Sequence, residues 1–257
     1  PATPGEEAVM WLFDGVKWLQ HPGGKDGKNG ADGADGLWTD NGDSISYDGT
    51  VKVNGDFLPA KASAGPRAIA IGPAAGETAQ STFAVAVGNA AGYTGQGESA
   101  TAVGHNSGKT NQGPYTVAVG YGAGETDQSE SGVAVGVFAG QVTQGDDAIA
   151  IGGSAGKTTQ GNWAVAIGQQ AGQNTQGQKS IAIGRFAGEE NQAGWAVAVG
   201  NNAGHENQGV NAIAIGDSAA YTGQATCAVS IGQNAGYTNQ GENSVAIGRN
   251  AGKTNQG

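Results

Sequence analysis

Large apolar side chains, thiols and positive charge are all scarce in this chain. Its 257 residues include 1 Cys, 1 Met, 5 Phe, 5 Trp and 6 Tyr, and 12 Lys plus Arg stand against 22 Asp plus Glu. The single thiol, Cys227, excludes an intrachain disulfide and reads as an unpaired, tolerated side chain. A formal net charge of -10 argues against nucleic acid and anionic membrane surfaces as partners. No apolar run approaches the roughly 20 residues that a membrane-spanning helix needs, so no membrane insertion is expected. The stretch from Pro1 to Glu7 shows no basic segment followed by an apolar core, and therefore no signal peptide. With no initiator Met, and with Gly257 closing a repeat without a capping sequence, the chain is expected to be part of a longer one. Histidine is confined to His21, His105 and His205, none with a Cys, His or carboxylate at ligand spacing. No nucleophile elbow, phosphate loop or carboxylate pair stands out either. The expectation is a protein that is not an enzyme and uses no metal or cofactor.

What the chain does have is glycine, 49 residues of it, placed with a strict period. From Arg67 to Gly257 a phrase of the form Ala-Ile-Ala-Ile-Gly-x-x-Ala-Gly-x-Thr-x-Gln-Gly recurs, its first glycine falling at Gly72, Gly88, Gly104, Gly120, Gly136, Gly152, Gly168, Gly184, Gly200, Gly216, Gly232 and Gly248. A fixed spacing of 16 residues is the signature of a solenoid. Helices are excluded, because each interior glycine costs a helix about 1 kcal/mol relative to Ala. Corners of a β-coil, by contrast, need residues that take positive φ freely. Before each first glycine, small residues alternate with Val or Ile, Thr101 being the single exception, so the segment is a strand with two unlike faces. Hydrophobicity places the branched column inside the coil and leaves the alanine wall to press against neighbouring chains. So few large apolar side chains per coil leave little burial to offset backbone ordering, which favours an oligomer.

The eighth position after each first glycine is Gln in every copy: Gln80, Gln96, Gln112, Gln128, Gln144, Gln160, Gln176, Gln192, Gln208, Gln224, Gln240 and Gln256. Stacked coils bring such amides about 4.8 Å apart, the separation of a hydrogen-bonded side-chain ladder, and a structural role is expected for the column. Two other columns carry aromatics. Phe83, Tyr115, Trp163 and Trp195 share one with Arg67 and Lys179, and Tyr93, Tyr221 and Tyr237 share another just after the second glycine. Rings held on a stiff scaffold suit a host-surface glycan or protein, or else they fill grooves between associated rolls. A Thr column (Thr78, Thr94, Thr110, Thr126, Thr158, Thr222, Thr238, Thr254) raises ice binding as a minor alternative, although Val142, Asn174, Glu190 and Glu206 interrupt it.

Ahead of the array the chain is modular. Residues 1–22 are expected to form an attachment module around a hairpin, Val9 to Gln20, whose Asp14-Gly15 turn would set Trp11 opposite Trp18 and Phe13 opposite Val16. A helix is the competing reading of that stretch. Within residues 23–36 glycine recurs every third position from Gly24 to Gly36, a collagen-like pattern that needs three chains, with a flexible acidic linker or a calcium loop as the alternatives. Residues 37–66 read as a β neck, with Ser44–Tyr47 and Thr50–Val53 as strands. Residues 67–257 are the roll, its twelve coils spanning about 58 Å.

The run Asn243-Ser244-Val245-Ala246-Ile247-Gly248-Arg249-Asn250-Ala251 resembles the head-domain repeat of trimeric autotransporter adhesins. The resemblance implies a left-handed parallel β-roll, three of which pack side by side into an adhesive head. The order of modules is similar to that of phage and large-virus fibres. Together these give the expectation of an all-β, homotrimeric, extracellular fibre on a virion surface that mediates host attachment. Its N-terminal region would join the virion or other fibre components. A bacterial trimeric adhesin or an extracellular filament subunit is the alternative.

Overall fold

In the computed structural model the described residues are 65–256, together with six short strands between residues 10 and 57. The chain divides into two units, Pro1–Pro59 and Ala60–Gly257. In the first, Met10–Phe13 pairs antiparallel with Trp18–His21, Trp38–Asp40 with Ile45–Tyr47, and Val51–Lys52 with Asp56–Phe57. The hairpin exists but its register differs from the expectation. Phe13 lies opposite Trp18 and Trp11 opposite Gln20, each partner two residues further along the chain than expected. An Asp-Gly pair is compatible with longer loops as well as with the tightest one, and sequence alone does not choose between them. The glycine triplets of residues 24–36 lie outside the described residues.

The second unit is an all-β parallel solenoid. Twelve strands, from Ile69–Ile71 to Val245–Ile247, stack into one sheet, and eleven, from Thr78–Gln80 to Thr238–Gln240, into the other. Every pairing is parallel and advances by one repeat, as in Ile69 with Val85 and Gln80 with Gln96. A single bridge between Thr238 and Thr254 extends the second sheet into the last coil. The corners are stitched as firmly as the strands. Gly88 N donates to Ile71 O at 2.7 Å, Gly76 N to Ala91 O at 2.9 Å and Phe83 N to Pro66 O at 3.2 Å, so backbone pairing continues around the coil.

Such tight corners dictate residue types. The first glycine of each repeat adopts φ between 115° and 136°, as at Gly248 and Gly200, a region closed to side chains. A Cβ on Gly88 would sit 2.6 Å from the carbonyl oxygen of Gly104 in the next coil. The second glycine lies in the left-handed region with its missing side chain facing the glutamine, and a Cβ on Gly92 would come within 2.7 Å of the Gln96 amide carbon. Non-glycine residues occupy three further left-handed corners in most coils, among them Phe83, Asn106 and Asn111.

The interior inverts one expectation. Ala84, Ala86 and Ala91 are fully buried, as are their equivalents in other coils, while the Val and Ile columns face outward. Volume overrides hydrophobicity here. A coil with three-residue strands and five corners at positive φ leaves little room between its two sheets, and the buried positions take small residues, Ala with Ser107, Ser180, Ser230 and one Thr116, beside one extended Gln per coil. The alanine wall therefore lines the core and is unavailable to sister subunits.

Glutamine completes that core. Gln160 Nε2 donates to Ile149 O at 2.8 Å across the coil, to Ala164 O at 3.4 Å, and to Gln176 Oε1 at 3.0 Å in the next coil. Amide-to-amide links run unbroken from Gln96 to Gln240. At the ends, Gln80 Oε1, Gln96 Oε1 and Gln256 Oε1 have no donor. Each rung ties the two sheets together and ties each coil to its neighbour, in surroundings where an unmade bond is costly.

Candidate attachment surface

Because the register repeats every coil, each outward position becomes a row parallel to the solenoid axis, its members about 4.8 Å apart. The broadest is a double row of Val and Ile on the outer face of the twelve-stranded sheet. It is half-buried to exposed along its length, with Ile151, Ile167, Ile183, Ile215 and Ile231 all exposed. Only Thr101 interrupts it. An apolar face that continues for about 58 Å is longer than folded monomers ordinarily leave in water.

A second row lies at the left-handed corner that leads into that sheet. It holds Arg67, Phe83, Tyr115, Trp163, Lys179 and Trp195 at φ between 56° and 60°. Trp163 and Trp195 remain 50% and 47% exposed, and Phe83 and Tyr115 are exposed too. Lys179 Nζ lies 5.2 Å from the Trp163 ring centre and 5.7 Å from that of Trp195, so one ammonium is shared by two indoles. Arg67 is similarly placed 5.6 Å from Phe83. Sequence had put these residues in one column; the shared cation is visible only in three dimensions.

The third row follows the second glycine. Tyr93 stands exposed near its start, and His205, Tyr221 and Tyr237 stack further along it with centroid distances of 4.6 and 5.0 Å. One coil before, Glu189 Oε2 accepts from His205 Nε2 at 2.8 Å, while His205 Nδ1 is buried without a hydrogen-bond partner, 3.6 Å from Glu206. Local ligand spacings do not reveal this pair; its signal is the period, since Glu189 precedes His205 by one repeat. Burial holds the Glu189 carboxyl above its usual value, with His205 lowering it and Glu190 and Glu206 raising it. Burial, then Tyr237 and the nearby carboxylates, push the Tyr221 phenol up. Another cluster joins His105, stacked on Tyr121 one repeat later at the same position after the first glycine, with Phe138, edge-on to Tyr121 and one position further along its own coil. Among the described residues no group of three or more His, Cys, Asp or Glu could hold a metal ion.

The threonine column and its interruptions line the outer face of the eleven-stranded sheet. Glu190 and Glu206 face each other there across adjacent strands, a repulsive pairing that breaks the row. The Gln column has no part in this surface, being buried throughout from Gln80 to Gln240.

Residues 240–251 match the YadA head domain repeat, in two copies. Within that segment Asn243 takes the left-handed corner, Val245–Ile247 the strand and Gly248 the glycine corner. The same YadA-like arrangement recurs coil by coil through the solenoid, so the resemblance to an adhesin-type β-roll holds at the level of the repeat and its coil. No curated protein and no solved structure matches the chain.

Proposed function

We propose that the protein is the rod of a homotrimeric, adhesin-like fibre that attaches its bearer to another surface outside the cell. The observation that carries this reading is the Val and Ile ridge, broken only at Thr101, on the outer face of a parallel solenoid. Packing that ridge against the same ridge on sister chains removes it from water, at roughly 25 cal/mol for each Å² buried. The number three is supported by the glycine triplets of residues 24–36, which suit three chains, and by the trimeric heads of the adhesins that the repeat resembles. The contact face is the branched ridge and not the alanine wall. Such a role calls for no catalysis.

The order of hairpin, triplets, neck and roll supports a viral or phage fibre as the bearer, and the YadA-like segment supports a bacterial surface adhesin equally well. Sedimentation equilibrium tests the assembly. The parent chain is expected to be a trimer at micromolar concentration, and the double variant Val165→Lys with Ile183→Lys a monomer with unchanged far-ultraviolet circular dichroism. A monomeric parent removes the assembled fibre.

A further inference from the structure

The corner row contains a feature that lies outside the Val and Ile ridge. Trp163, Lys179 and Trp195 occupy three successive coils, and each is held at a left-handed φ. Large side chains in that conformation are strained, and both indoles are half exposed. Charge is unusual here as well. Between Asp147 and Glu189 the chain carries Lys157, Lys179 and Arg185 and no carboxylate, an island of positive charge in a chain of net charge -10.

We propose that Trp163, Lys179 and Trp195 form a binding site for a linear polysaccharide in which acidic and neutral sugars alternate, lying along the rod axis. The inference deepens the attachment half of the proposed function and rests on it. Indole faces offer apolar platforms for the C–H faces of pyranose rings. The ammonium has three N–H groups, and its contacts with two rings leave one to donate to a carboxylate. Spacing selects the ligand form. One sugar in an extended chain advances by a length close to one coil, so three consecutive sugars meet Trp163, Lys179 and Trp195 as neutral, acidic and neutral. Asp147, in the same row two coils from Lys179, lies about 10 Å away, beyond one screening length at physiological salt.

The test is titration of the whole 257-residue chain with a hyaluronan hexasaccharide, which alternates uronate and N-acetylhexosamine, against chitohexaose as the neutral comparison. Hyaluronan is expected to bind at least tenfold more tightly than chitohexaose and to weaken as salt is raised. Trp163→Ala and Trp195→Ala should each weaken hyaluronan binding at least tenfold, and Lys179→Gln should abolish the preference for the acidic chain. Equal binding of the two oligosaccharides, or Trp variants that bind like the parent, overturns the site. Sedimentation of the same variants separates the two readings. If losing either indole dissociates the trimer, these rings belong to the contact between copies and the site falls while the fibre stands. A monomeric parent that still prefers hyaluronan leaves the site standing and removes the assembly.

Discussion

Ala220 occupies the corner that is glycine in every other coil, and it does so fully buried at φ 46°. A Cβ in the left-handed region costs roughly 1–2 kcal/mol, and part of the gain from removing it is offset by glycine's greater freedom in the unfolded chain. Ala220→Gly should therefore raise stability by up to about 1 kcal/mol in denaturant melts. The opposite change, Gly156→Ala, adds a Cβ 2.8 Å from the Gln160 amide carbon and should cost about 1–3 kcal/mol. Glu189 sets a pH dependence at the same scale. Its carboxyl is raised from an ordinary value of 4.5, so the folded state favours the protonated form. That contribution is fully present below pH 4.5 and is lost as pH rises through the raised value. Glu189→Gln keeps an acceptor for His205 without a charge. Relative to the variant, the parent should lose thermal stability between pH 4 and pH 7, and parallel melts that track each other across that range would remove the assignment.

At the scale of strands and coils, the glutamine ladder is the element whose loss should be felt most. Gln160→Leu takes from the Gln144 amide its acceptor in the next coil, and from Ile149 O, Ala164 O and Gln176 Oε1 a donor, all within the buried interior. The expected cost is about 2–5 kcal/mol by thermal or denaturant melting, and an unchanged melt would deny the ladder its part in stability. The existence of coils, their length and their glycine corners were legible in the sequence because backbone geometry admits little else at Gly88 or Gly92. Which strand face points inward was not. Alternation shows that two faces differ, and hydrophobicity alone prefers Val85 and Val87 inside over Ala86; only the distance between the sheets, set by all the corners together, reverses the choice. Invariance does not decide it either, since the outward Val and Ile column is broken only at Thr101 while the buried column also takes Thr116, Gly132, Ser180 and Ser230. The shared cation of Lys179 and the Glu189–His205 pair were hidden for a different reason. Both join residues one repeat apart, which only stacking brings together.

For the whole solenoid, strict register means that a complete coil is a removable unit. Deleting residues 97–112 joins Gln96 to Gly113, restores the corner sequence and lets the Gln96 amide meet Gln128. Each coil contacts its neighbours through the same strands and rungs, so stability should fall by one coil's contribution and unfolding should stay cooperative. The rod should shorten by about 4.8 Å, measurable by small-angle scattering. Deleting residues 97–111 instead puts every downstream side chain one position out of step at the junction, turning Ala toward water and Val into a space otherwise filled by Ala, Ser and one Thr. That variant should lose β signal in circular dichroism or aggregate. The first deletion also removes Thr101, the one polar break in the Val and Ile ridge. If the ridge is the contact between chains, the shortened rod should associate more tightly per coil than the parent. Its trimer should then persist to lower protein concentration in sedimentation equilibrium, whereas weaker association would show that the contact lies elsewhere on the solenoid.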